Sequence, residues 1–133
     1  VLALVLLAGC GSKGGGGGGG SGLSDSAEGR RRMPSCGTYN AGDGELAPAD
    51  RAVRDCFLAA FGAGEQKEVT ITATSIEGDP ITTIYRVLGP DDLELFVDAS
   101  TDKFAAVKTY HQRCRTLAED GNGLTAGACS TVS

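Results

Sequence analysis

Five cysteines, a single histidine and acidic residues gathered at turn signals are the side chains with which this chain could do chemistry. Four of the cysteines, Cys36, Cys56, Cys114 and Cys129, lie beyond a glycine-rich stretch. An even number in a small exported domain reads as two disulfides. Four cysteines allow three pairings, and spacing favours one. Asp120-Gly121-Asn122-Gly123 is a turn signal, because Asn-Gly and Gly positions accept positive φ. The centre of that tetrad is also the midpoint between Cys114 and Cys129. A hairpin folded about it sets those two opposite one another and leaves Cys36 with Cys56, stapling an extended entry segment to a helix. The competing chemistry is a metal site built from His111, Cys114 and another thiol. With one histidine and no Cys-x-x-Cys pair, the chain carries no zinc pattern, and no motif in it requires a cofactor.

The acidic candidates sit at two turns. Glu77-Gly78-Asp79-Pro80 has the glycine of a tight hairpin, but Pro80 lacks the N–H that would close a two-residue loop. A wider, bulged loop is expected. Asp98-x-Ser100-x-Asp102 places three oxygen-bearing residues at alternate positions, as a calcium loop does. Lys103 stands where an EF-hand needs glycine and Thr109 where it needs glutamate, so an EF-hand is excluded. Glu77, Asp79, Asp98 and Asp102 form the candidate binding loop, offered to a cation, a ligand or a partner. The plainer alternative is that they bond backbone amides at a bend. No nucleophile elbow surrounds any serine that might work with His111, and Gly14–Gly20 lacks the Lys-Ser/Thr ending of a phosphate loop.

Periodicity supplies the elements that would hold these groups. Pro48 to Phe61 reads as an amphipathic helix with Val53, Cys56, Phe57, Ala60 and Phe61 on one stripe. Asp50–Arg54 and Arg51–Asp55 form i,i+4 pairs on the other face, with Gly62 or Gly64 as the stop. Glu68 to Ile76 alternates Val69, Ile71 and Ala73 against Thr70, Thr72 and Thr74. Ile81 to Leu88 and Leu93 to Val97 follow as strands, divided at Gly89-Pro90-Asp91-Asp92. Phe104 to Ala118 fits a helical stripe and a strand face alike, and the hairpin arithmetic tips it toward strand. The expected fold is α+β: one N-terminal amphipathic helix packed on an antiparallel β-meander of about four or five strands, with two disulfides. Thr70, Thr72, Thr74, Thr82 and Thr83 would give the sheet a polar face.

The N-terminal residues carry an address. Val1 to Ala8 is an apolar run too short to span a bilayer, which takes roughly 20 helical residues, and is sized for the core of a signal peptide. Leu7-Ala8-Gly9-Cys10 resembles the bacterial lipobox. That resemblance implies cleavage before Cys10 and a lipid on its sulfur, although no basic residue precedes the run and the first residue is Val. Gly11 to Gly22 is glycine-dominated, and polar residues continue to Arg30-Arg31-Arg32, which could touch anionic headgroups. Such a segment reads as a disordered tether. The expected organisation is a signal peptide at 1–9, a lipidated cysteine and tether at 10–34, and an extracytoplasmic domain at 35–133. Glu77-Gly78-Asp79-Pro80-Ile81, with Asp98 to Phe104 and the two late cysteines, resembles a small uncharacterised family of bacterial lipoprotein and secreted domains. That resemblance implies a helix-plus-sheet fold with a strand closing on a cysteine; it assigns no activity.

The formal net charge is −5. From Cys36 onward eight Lys and Arg face fifteen Asp and Glu, a balance that repels phosphate backbones and argues against nucleic acid partners. The sequence reading is a lipoprotein anchored outside the bacterial cytoplasmic membrane, with a non-enzymatic domain that binds an envelope protein or a cell-wall component. A small hydrolase using the loop carboxylates, or a cation- or ligand-binding accessory protein, is the alternative.

Overall fold

The computed structural model describes residues 32–42, 44–120 and 123–132. The expected signal peptide, Cys10, nearly all of the expected tether and the tip Gly121-Asn122 lie outside the described residues. The Pro34 carbonyl accepts the Glu68 N–H at 2.9 Å.

The fold is mostly β, with 49% of the structure in strands, and it departs from the expected helix-first antiparallel meander. A strand, β1 (Ser35–Asn40), precedes the helix α1 (Pro48–Ala63). Then come β2 (Glu68–Thr74), β3 (Pro80–Gly89), β4 (Asp92–Asp98) and β5 (Thr109–Cys114). The chain closes with β6 (Thr116–Asp120), β7 (Gly123–Gly127) and β8 (Ser130–Thr131). Six strands form one mixed sheet in the order β1-β2-β3-β4-β5-β8, and β6 pairs only with β7. The β1–β2 pair is parallel, with α1 as the crossover such a pair requires. The sequence hides β1 for a physical reason. Its six residues bury only Tyr39 deeply, and Gly37 (φ +113) sits at a register shift, so no alternation marks it.

The helix and the three middle strands follow the sequence pattern closely. Pro48 opens α1, and Gly64 (φ +64) closes it with its N–H on the Phe61 carbonyl at 3.1 Å. A Cβ at Gly64 would lie 2.8 Å from Cγ of Pro90. Gly64→Ala therefore combines a disfavoured φ with a clash and is expected to cost about 1–2 kcal/mol. A lowered urea midpoint at unchanged m-value checks this.

The expected i,i+4 pairs on α1 do not form. Arg54 is buried and contacts Asp55 and Glu119, both at 3.0 Å, while Arg51 reaches Glu45 at 3.8 Å. Arg54 borders the apolar stripe, and the β6–β7 hairpin brings Glu119 over it. The result is a link between helix and hairpin.

Between them, α1, β6–β7 and one face of the sheet enclose a core of Tyr39, Leu46, Phe57, Ala60, Val69, Ile71, Val87, Leu93, Leu95 and Cys114. Val69 and Ile71 point into this core, as the alternation predicts. Thr70, Thr72 and Thr82 share the opposite face, since Thr70 pairs with Ile84 and Thr72 with Thr82. Thr83 does not join them. It pairs with Ile71 on the core side.

Both disulfides form in the favoured pairing: Cys36–Cys56 ties β1 to α1, and Cys114–Cys129 bridges the ends flanking the hairpin. The β6–β7 register, from Thr116↔Gly127 to Asp120↔Gly123, is centred where the cysteine spacing put it. Within the stretch that fitted both helix and strand, Thr109–Cys114 and Thr116–Asp120 are strands, whereas Phe104 lies in an exposed loop.

Candidate functional site

The two acidic turns meet at one end of the main sheet. Thr74↔Pro80 is the last pair of the β2–β3 hairpin, and Asp98↔Thr109 closes β4–β5 at the same end. The loop 75–79 is wider than a two-residue turn, as Pro80 required. The Ser75 N–H donates to the Asp79 carbonyl at 2.8 Å, the Gly78 N–H donates to the Ser75 carbonyl at 2.9 Å, and the Ser75 hydroxyl accepts the Asp79 N–H at 3.1 Å.

Two contacts then join this loop to 99–108. The Thr101 hydroxyl donates to the Pro80 carbonyl at 3.1 Å, and the Lys103 N–H approaches Asp79 Oδ2 at 3.4 Å. Asp98 Oδ1 accepts the Ser100 N–H, and Asp102 Oδ1 accepts the Phe104 N–H, each at 2.9 Å. Asp102 is buried, and its carbonyl receives the Lys108 ammonium.

Asp79, Asp98 and Asp102 accept backbone N–H groups and fix the loop shapes, whereas Glu77 is exposed. Among the described residues, no group of three or more His, Cys, Asp or Glu could hold a metal ion.

Beside exposed polar residues such as Glu77, Thr101 and Lys103, these loops carry three exposed apolar side chains. Ile76 is 102% exposed, Phe104 74% and Val107 57%. On two loops that touch one another, these side chains are candidates for a contact surface. Sequence reading passed over Ile76 because it placed that residue at the end of a strand, and over Phe104 because it matched a buried stripe.

Two further features lie elsewhere. On the sheet face opposite α1, Glu68, Arg86, Glu94 and Arg113 occupy successive strands in register, an alternating row of charges. Buried Arg86 stands 3.3 Å from Glu68 and 3.4 Å from Glu94. His111 Nε2 lies 3.2 Å from Glu94, without hydrogen-bond geometry, and its ring stacks on Phe96 with centroids 4.0 Å apart. Arg113 instead bonds both oxygens of Asp92, at 2.6 and 2.7 Å.

The second feature is a cleft of about 270 Å³ on the core side, where β1, β2 and β3 meet the β6–β7 hairpin. Tyr39, Thr83, Tyr85 and Asp120 line it together with Ile71 and Leu124. Tyr39 is 1% exposed, and its hydroxyl has no hydrogen-bond partner. A buried orphan of this kind costs about 1–3 kcal/mol.

Burial, with Tyr85 beside it, raises the Tyr39 phenol well above its ordinary value; Arg54 opposes this weakly. Tyr85 is pushed up to about 12, again by burial first and then by Tyr110 and Asp120. Both phenols therefore ionise more readily in the unfolded chain, whose tyrosines titrate near about 10. The stability this provides is complete below the unfolded value and is lost as pH rises through the folded ones. Alkaline titration should destabilise the domain by on the order of 2 kcal/mol as pH climbs from about 10 to about 12. Denaturant midpoints measured across that window check this. Tyr39→Phe should flatten the slope and, by removing the orphan hydroxyl, raise the midpoint at neutral pH.

No protein-family model matches the chain, and no significant match was found among curated proteins or solved structures. Fold and site define a small, disulfide-stapled, mostly β domain with an apolar two-loop tip.

Proposed function

We propose that this chain is an exported bacterial lipoprotein, held to the cell membrane by a lipid on Cys10, whose domain binds an envelope protein through the Ile76–Phe104–Val107 tip. The exposure of those three side chains on loops locked to one another carries the reading. Covering them in a partner's pocket would contribute about 1.5–3 kcal/mol each. A protein fits the tip better than an anionic lipid surface, because acidic residues outnumber basic ones almost two to one from Cys36 onward and such a domain is repelled by negative headgroups. Two disulfides are compatible with an extracytoplasmic location. The lipobox resemblance at Leu7–Cys10 and the E-G-D-P-I resemblance point the same way. No catalytic role is required of the loop carboxylates, three of which already serve backbone amides.

Site-specific photocrosslinking in the native envelope tests the reading. A photoreactive residue at Ile76 and another at Phe104 should capture one and the same protein, and Val107→Asp should abolish both adducts. A control at Thr70, on the threonine face, should capture none. Adducts confined to lipid, or scattered over unrelated proteins regardless of Val107, would overturn it.

A further inference from the structure

Arg30-Arg31-Arg32 is the densest run of basic residues in the chain, and neither the loop tip nor the core uses it. Arg32 is exposed and lies outside any helix or strand, shortly before β1 begins at Ser35. Among the described residues, no hydrogen bond or ion pair holds Arg32 or Met33.

The basic residues of the folded domain are placed otherwise. Arg51 and Arg54 lie within α1, Arg86 within β3 and Arg113 within β5, where the backbone cannot enter another protein's cleft unless the element breaks. The rest lie outside helices and strands, and each has backbone ties at or beside its own peptide bond. The Lys67 carbonyl accepts the Val87 N–H at 2.9 Å, and the Arg115 N–H donates to the Gly127 carbonyl at 3.1 Å. Next to Lys103, the Phe104 N–H donates to Asp102 Oδ1 at 2.9 Å. The Lys108 carbonyl accepts the Ala99 N–H at 2.7 Å. A protease acts on backbone that is exposed and unbonded, or on backbone that has first opened. From Cys36 onward, a cut after any lysine or arginine requires such an opening. The Arg32–Met33 bond does not.

We propose that the Arg32–Met33 bond is a processing site for an exported protease of trypsin-like specificity, which sheds the domain from its anchor. Such an enzyme takes one arginine into a pocket with a carboxylate at its base. Water adds across the amide, leaving a carboxylate on Arg32 and a free amine on Met33. The released piece, 33–133, keeps β1, both disulfides and the loop tip, so it carries the tip to a partner away from the membrane. Contact with anionic headgroups is the weaker use of the run. Three arginines fall short of the roughly four to eight basic residues of polybasic membrane signals, and the domain behind them is acidic. Shedding rests on the lipid-anchor reading given above, whereas the cut itself does not.

The test uses the protein in its native membranes. Dilute trypsin should release one fragment that begins at Met33, or at Arg32 where the register slips by one arginine, with all four of its cysteines still bridged. Any second cut should be about tenfold slower or more, because each waits on local opening. The same fragment should occur in the medium of untreated cells, beside uncut chain in the membrane. Replacing the run by Arg30→Gln, Arg31→Gln and Arg32→Gln together should abolish it and leave the urea midpoint of the domain unchanged. First cuts at Lys103 or Lys108, or medium that lacks the fragment, would overturn the proposal. So would a triple variant that is shed as before, or one whose only defect is weaker binding to anionic vesicles, which would give the run to the membrane. The complementary piece ending at Arg32 separates the two readings. Found without a lipid on Cys10, it refutes the anchor and keeps the cut; lipidated uncut chain alone refutes the cut and keeps the anchor.

Discussion

Truncation of Phe57 to alanine is expected to destabilise the domain by about 3–5 kcal/mol. The ring is completely buried, makes an edge-on contact with Tyr85 at a centroid distance of 6.0 Å, and belongs to the core shared by α1 and the sheet. Its removal takes away the apolar contacts of a whole aromatic ring. The neighbours cannot all collapse into the space, because α1 is tied at Cys56 to β1 and at Arg54 to the hairpin. Small domains have only about 5–15 kcal/mol in hand, so the variant should sit near the edge of folding at room temperature. Chemical denaturation read by circular dichroism measures the loss. A shift below about 1 kcal/mol would mean that Phe57 is not at the centre of the core.

Replacing Cys36 and Cys56 together with alanine should cost about 3 kcal/mol, the loop-closure value for a span of 20 residues. The effect has a location as well as a size. β1 is an edge strand paired only with β2, and its six residues bury little except Tyr39. Without the bridge, β1 should open before the rest of the sheet, and with it the Tyr39 wall of the cleft. Hydrogen exchange should therefore accelerate at Thr38–Asn40 far more than in β3 or β4. A uniform increase across the sheet would show that the bridge stabilises the domain without holding β1 in particular. Loss of Cys114–Cys129, which closes 15 residues, should cost a similar amount and loosen the β6–β7 hairpin instead.

How much of this was legible in the sequence depended on the range of each signal. Local periodicity marked α1 and β2 to β4, because burial of Val69, Ile71, Phe57 and Ala60 imposes the 2.0 and 3.6 repeats directly. The β6–β7 register and the pairing of Cys114 with Cys129 followed from one turn and one arithmetic centre. Parallel pairing of β1 with β2 had no local signature, since it is made by a crossover and by strand positions far apart in sequence. The same holds for Arg54, whose surroundings are set by Glu119 on a distant hairpin, and for the cleft, where Tyr39, Thr83 and Asp120 meet only in three dimensions. At the loop tip, Glu77, Asp79, Asp98 and Asp102 drew notice as chemically capable groups. The structure uses three of them as local hydrogen-bond acceptors and leaves Ile76, Phe104 and Val107 facing outward.

Export and oxidation underlie the proposed function, and one measurement reaches them together. Protein recovered from its native cells, alkylated before and after reduction, should be weighed intact by mass spectrometry. The account predicts envelope-associated material that begins at a lipid-bearing Cys10 and gains four alkyl groups only after reduction. Soluble cytoplasmic protein with Cys10 unmodified and the other four thiols open to alkylation from the outset would contradict it.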